Sequence, residues 1–327
     1  MKPLKINHKI YGRFIITEPV LIELIKSPAL QRLKGVGQNG AHDFHYTSPG
    51  PFTRFQHSIG VILLLRKFNA PLKEQVAGLL HDVSHTAFSH VADFIFDSHT
   101  TQSYQDTKLN KAFEIQGINK ILKKHGISPK TILDHKNFPL LEKKLPDLCA
   151  DRIDYTLQEP TLKKIKNANP KAILKNLIVW QNQFVFKNQK SAKKFALLYL
   201  KMNKILWCNP VEATIYQMLA DIIKLGLAKN LIQKHDLFTT DQMVLTKLKK
   251  DPVLARKIIK LKTIRAKAVP KNQAEFHIYS KTRVVDPYFL KNGRLIRLTA
   301  VAKNYLKQVR DWEKTAKKGF YIKILNA

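Results

Sequence analysis

Cysteine is nearly absent from this chain: Cys149 and Cys208 are the only two in 327 residues. A single pair cannot staple a fold, and without a C-x-x-C spacing the thiols offer no thiolate metal site, so both read as small buried side chains. Long apolar runs are missing too. The longest clusters, such as Val61-Ile62-Leu63-Leu64-Leu65, fall far short of the ~20 residues a membrane helix needs. The N-terminus lacks the basic, apolar, small-residue order of a signal peptide, and the expectation is a cytoplasmic protein with no transmembrane segment. Acidic residues are scarce. Lys+Arg 57 against Asp+Glu 24 leaves a formal charge of +33, and no acid occurs from Pro160 to Val211, where Lys163, Lys164, Lys166, Lys171, Lys175, Lys187, Lys190, Lys193, Lys194, Lys201 and Lys204 accumulate. Such an excess attracts polyanions, which makes non-specific nucleic-acid binding through a basic surface one expectation; the plainer reading is that lysines decorate solvated faces.

What is present is helical periodicity. With 44% hydrophobic residues, the chain has an ordinary globular composition and enough length for a large core with a smaller appended part. Apolar residues recur at spacings of three and four in Leu21-Leu24-Ile25, from Val61 to Phe68, from Lys73 into His81-Asp82, and from Phe88 to Phe96. From Asp147 to Gln158 the same pattern would set Asp151 in mid-helix, with Asp154 and Tyr155 on the same or a neighbouring face. Strand signals are few: a hairpin over Leu177 to Phe186 turning at Gln181-Asn182, and segments at Glu275 to Val285 and Phe320 to Leu325. The fold class read from this is mainly α, with a helical domain over 1–230 and a smaller α+β segment over 231–327.

Two imidazoles and two carboxylates stand out. His57, the adjacent pair His81-Asp82, and Asp151 come from three segments, and their mixed nitrogen and oxygen donors suit one divalent ion such as Mn, Fe, Co, Ni, Zn or Mg. An ion so held would polarise a phosphoryl oxygen and make a hydroxide nucleophile available near neutral pH, which points to hydrolysis of a phosphate ester or anhydride. Arg54 and Arg152 neighbour ligand positions and have the planar fork that phosphate favours. His85 and His90 are candidates to donate a proton to a leaving oxygen or to neutralise charge on the phosphoryl group.

The words around these residues carry a family resemblance. Gln31-Arg32-Leu33-Lys34, Gln38-Asn39-Gly40, Arg54-Phe55-Gln56-His57-Ser58-Ile59-Gly60, Leu80-His81-Asp82-Val83-Ser84-His85-Thr86-Ala87-Phe88-Ser89-His90 and Ala150-Asp151-Arg152-Ile153-Asp154-Tyr155 resemble, in order, the motifs of the HD-domain phosphohydrolases. The branch most resembled contains the deoxynucleoside triphosphate triphosphohydrolases. It implies an HD helical fold, metal binding by His57, His81, Asp82 and Asp151, phosphate contacts from Arg54, Arg152 and Tyr155, and His85 and His90 beside the scissile group. It further implies sugar contacts from Gln38 and Glu159, a nucleotide or other phosphorylated small molecule as substrate, and a homo-oligomer. A nucleotide monophosphatase, or a nucleotide- or polyanion-binding protein with weak turnover, is the alternative. Two stretches depart from the pattern: Tyr104-Gln105-Asp106 stands where relatives carry a His-Glu pair, with His99 nearby, and Asn209-Pro210-Val211-Glu212 replaces an aromatic and histidine motif near the nucleobase.

Overall fold

A computed structural model describes residues 1–40, 52–96, 104–162, 165, 168–279 and 282–325. His99, Lys163, Lys164 and Lys166 lie outside the described residues. The protein is mainly helical, 57% by residue, as the periodicity predicts. Its centre is the helix Arg54–Lys67, opened by Thr53, whose hydroxyl accepts from Gln56 N in a reciprocal capping box. Every residue from His57 to Leu65 is buried, so this helix is apolar nearly all round and is wrapped by others, foremost Leu72–Leu80 and Ala150–Leu162. Two glycines permit the crossings. A Cβ at Gly60 would overlap the carboxylate of Asp154 and the amide of Gln158, and one at Gly78 would overlap Leu65 Cδ1.

Among the described residues, nine short strands are placed around the helices. β1 (Leu4–His8) and β2 (Gly12–Ile16) form an antiparallel hairpin. β3 (Leu177–Trp180) and β4 (Gln183–Phe186) form the hairpin expected at Gln181-Asn182, both of which adopt positive φ as a tight hairpin turn requires. β5 (Ala266–Ala268), β6 (Phe276–Ile278) and β9 (Phe320–Ile324) make a three-stranded antiparallel sheet in the order β5-β9-β6. β7 (Tyr288–Lys291) and β8 (Arg294–Arg297) extend the β3-β4 hairpin through a parallel pairing of Phe186 with Phe289, so this sheet joins strands from both sides of residue 230. One apolar cluster surrounds the central helix; another joins Phe88, Val91, Phe94 and Ile95 to the helices Pro210–Ala228, Asp241–Leu248 and Pro252–Leu261. No helix among the described residues is long and apolar enough to cross a membrane.

Two helical expectations are corrected. The run from Phe88 to Phe96 is helical only over Val91–Ile95, because Phe88 and Ser89 take left-handed φ values of 59° and 48°. Such values are costly for side-chain-bearing residues and persist where surroundings enforce them. Here Asp241 accepts from Phe88 N at 2.7 Å and Gly37 N at 2.9 Å, and Ser89 Oγ donates to Gly37 O. The helix carrying Asp151 starts at Ala150, not Asp147, which puts Asp151 in its first turn. Ala150 N bonds Leu140 O, and the Arg152 guanidinium bonds Asp147 O and Lys143 O, so the preceding residues are held as a loop folded back on the helix start. Both cysteines are buried and neither is in a disulfide, and Cys149 Sγ accepts from Arg152 Nη1 at 3.1 Å.

Gly60→Ala is expected to destabilise the protein by about 1–3 kcal/mol, the cost of overpacking a filled contact. Denaturant unfolding of metal-free protein measures it, and an unchanged midpoint would contradict the close crossing.

Candidate metal centre

Three elements bring the four candidate ligands together. His57 faces inward from the central helix, His81 and Asp82 close the end of Leu72–Leu80, and Asp151 opens the helix Ala150–Leu162. His57 Nε2 lies 3.2 Å from His81 Nε2, 3.0 Å from Asp151 Oδ1 and 3.7 Å from Asp82 Oδ2. His81 Nε2 lies 3.6 Å from Asp151 Oδ1 and 3.5 Å from Asp82 Oδ1. Donors about 2.1 Å from one ion stand roughly 3–3.5 Å apart in tetrahedral or octahedral geometry, so the spacing of His57, His81 and Asp151 suits a shared cation, with Asp82 at its edge.

The protons support the same conclusion. His81 Nδ1 is 2.8 Å from Gly78 O, a carbonyl that can only accept, so the proton is on Nδ1 and the Nε2 lone pair is free. His57 Nδ1 is 2.8 Å from Asp154 Oδ2, which fixes the ring in the same sense. Nδ1 of each ring is thus committed to an acceptor, and the two Nε2 atoms converge with two carboxylates. A cation satisfies that set, and so would protons. Burial disfavours the charged imidazole of His57, but hydrogen bonds to Asp151 and Asp154 and the charges of Asp154 and Asp82 outweigh it and raise its pKa to about 10. Burial likewise works against ionised Asp151 and Asp82. The imidazoles of His57 and His81 hold Asp151 well below the carboxylate range, and Arg54, His81 and His85 do so for Asp82.

Around this set the candidate residues divide into holders and wall. Arg54 spends all three nitrogens on the protein: Nη1 on Asp82 Oδ2 at 2.7 Å, Nε on Ser89 Oγ at 2.9 Å, and Nη2 on Gln38 O at 3.0 Å. His85 Nε2 is 3.3 Å from Asp82 Oδ1, and burial together with Arg54 drives its pKa down to about 3, so it is a neutral imidazole. His90 bonds Asp93 through Nδ1 at 2.9 Å and meets the His85 ring edge-on; burial and Arg54 lower its pKa against the pull of Asp93. Tyr155 shares a hydroxyl hydrogen bond with Tyr199 at 2.9 Å, and Glu159 accepts from Trp207 Nε1 at 2.7 Å. All but His57 line one cavity of about 640 Å³, a size usual for small-molecule sites. Gln105 and Asp106 form part of its wall, as do Glu212, Tyr216, Tyr279 and Arg283.

Three contributors were not singled out by sequence. Asp154 orients His57, and its place three residues after Asp151 was the available signal. Arg32 donates to Val83 O, His85 O and Thr239 O and so pins the loop after the His-Asp pair. Asp241 reaches the same loop from more than 150 residues away. Nothing local in the sequence marks that contact.

Asp82→Asn is expected to strip metal from protein that otherwise holds about one ion per chain, with the circular-dichroism helix signal unchanged; elemental analysis checks it. Because His57 keeps its proton up to about pH 10 without metal, loading near neutral pH should eject protons, and affinity should rise with pH. Calorimetric titration in buffers of different ionisation enthalpy reads this, and a buffer-independent heat would contradict it.

The HD domain family matches residues 54–158. The chain is 36% identical to the uncharacterized protein YdhJ of Bacillus subtilis across 98% of this chain and 99% of that one. It is 34% identical to the metal-dependent phosphohydrolase cns2 of Cordyceps militaris across 67% of this chain and 65% of the relative. Over 104 residues, 27% of this chain and 17% of the other, it is 36% identical to the deoxynucleoside triphosphate triphosphohydrolase SAMHD1 of Bos taurus. The crystal structure of a phosphohydrolase from Bacteroides thetaiotaomicron shares the fold with a TM-score of 0.68 at 18% identity, covering 99% of this chain and 100% of the other. With its ordered ligand motifs converging in this way, the chain belongs to the HD-domain family of metal-dependent phosphohydrolases.

Proposed function

We propose that this hydrolase acts on a nucleotide, cutting a phosphate ester or anhydride, with a deoxynucleoside triphosphate as the leading candidate. The observation that carries the reading is the mixture of groups that line the cavity. The ligand carboxylates lie at one part of it; Lys136, Lys143, Lys144, Arg152 and Arg283 supply positive charge; and Tyr155, Trp207, Tyr216 and Tyr279 supply flat apolar surface. A substrate with an anionic head and a flat, hydrogen-bonding body complements that lining. Gln38 sharpens it: its Oε1 is buried without a hydrogen-bond partner among the described residues, which costs about 1–3 kcal/mol until a donor such as a sugar hydroxyl arrives. That SAMHD1 is a deoxynucleoside triphosphate triphosphohydrolase supports the same substrate class.

Within this reading, a bound divalent ion supplies Lewis acidity at the phosphoryl centre. Arg54 fixes Asp82 as a ligand and offsets its charge. Arg152, anchored on Lys143 O and Asp147 O, keeps a buried Nε without a partner and contributes cationic character where phosphate oxygens would lie. His85 and His90 are neutral near pH 7 and act as N–H donors to phosphoryl oxygens rather than as imidazolium acids. Tyr155 stands with Arg152 for the phosphates and Glu159 for the sugar, their polar atoms oriented by Tyr199 and Trp207.

A panel of nucleoside mono-, di- and triphosphates with Mn(II), resolved by anion exchange, tests this. Triphosphate release is expected; orthophosphate from monophosphates would favour the monophosphatase reading, and turnover of generic phosphate esters with no nucleotide hydrolysed would refute the proposal. Arg152→Ala should lower kcat/KM by roughly 10²–10³-fold with metal content unchanged, and wild-type kinetics in that variant would remove Arg152 from the site.

A further inference from the structure

The tip of the β1-β2 hairpin is tucked inward. Residues at a hairpin tip are ordinarily solvated, yet Ile10 and Tyr11 are buried, at 9% and 3% exposure. Tyr11 Oη donates to Asp154 Oδ1 at 2.6 Å, across 143 positions of sequence. His8, the last residue of β1, reaches the same carboxylate through an intermediary. Its Nδ1 faces the backbone N–H groups of Ile10 and Tyr11, both at 3.3 Å, so the ring proton is on Nε2 and is donated to Gln158 Oε1 at 3.2 Å. That fixes the Gln158 amide the other way round, with Nε2 donating to both Asp154 oxygens at 2.9 and 2.8 Å. The rings of His8 and Tyr11 stack at 4.8 Å.

Each proton in this chain has one consistent direction. Tyr11 and Gln158 donate to Asp154, and His57 Nδ1 donates to Asp154 Oδ2 at 2.8 Å. Asp154, fully buried, is therefore an acceptor only, and it aims Nε2 of His57 at His81 and Asp151. We propose that Tyr11 is a positioning residue for the metal centre: the hairpin tip sets metal affinity by holding the carboxylate that holds His57. This rests on the metal-site reading given above. Groups behind a metal-bound histidine typically change affinity 10–100-fold when removed; Tyr11 stands one bond further out, and its hydroxyl is the only polar atom the substitution Tyr11→Phe deletes.

The test is cobalt(II) titration of metal-free protein, followed by the d–d absorption of the bound ion, for wild type, Tyr11→Phe, Asp154→Asn and the double variant. Tyr11→Phe is expected to weaken cobalt binding about tenfold and to alter the d–d band, because the ligand field at His57 changes. Since Tyr11 acts through Asp154, adding Tyr11→Phe to Asp154→Asn should change affinity by less than twofold. Wild-type protein that binds no cobalt would overturn the metal-site reading itself. Cobalt-binding wild type with Tyr11→Phe matching it within twofold would overturn only the role of the hairpin. A weakened Tyr11→Phe whose effect persists in full on the Asp154→Asn background would assign Tyr11 to general stability and also overturn the proposal. If Tyr11→Phe fails to fold, Gln158→Met addresses the same carboxylate from the other donor, with the same cycle and the same two outcomes.

Discussion

Two imidazole Nε2 atoms and two carboxylates meet within 3.7 Å of His57 Nε2 and His81 Nε2. Such a convergence is repulsive unless positive charge is shared at its centre. Much of the surrounding architecture can be understood as enforcing it. Arg54 grips Asp82, Asp154 grips His57, and Gly78 O fixes the tautomer of His81. Around these, Arg32, Ser89 and Asp241 hold the loop after the His-Asp pair in a left-handed conformation that its own residues disfavour. Because the holders are themselves buried and hydrogen-bonded, the ligands are arranged before any ion arrives, which lowers the ordering cost of binding.

The same arrangement sets the charge the substrate meets. Two ligand carboxylates bring a divalent ion near neutrality, and Arg54 is committed to Asp82. Other cations line the same cavity, among them Arg152, Lys143, Lys144 and Arg283. Histidines kept neutral by burial and by Arg54 add hydrogen-bond donors to this cavity without adding charge that would repel the ion.

Much of this was legible in the sequence where chemistry and local pattern coincide. The ligand motifs are short, ordered and flanked by helical periodicity, and the Gln181-Asn182 turn has the residues a tight hairpin favours. Less was legible where tertiary contacts override local preference. Phe88 and Ser89 continue a helical pattern but are pulled out of it by Asp241 and Gly37. Asp151 moved to a helix start because the residues before it are folded back by Arg152 and Leu140. The β7-β8 hairpin was missed although Asn292-Gly293 has turn chemistry; its strands are four residues each, and β7 finds its other partner in β4, more than 100 residues earlier. The β1-β2 tip was unreadable for the same reason, since the carboxylate Tyr11 contacts lies 143 residues away.

X-ray absorption at the metal edge of the protein as isolated bears most directly on the central claim. One ion per chain with imidazole nitrogen scattering from two histidines and carboxylate oxygens at about 2.0–2.2 Å is the result the geometry predicts. A metal without histidine scattering, or coordinated through cysteine sulfur, would contradict it.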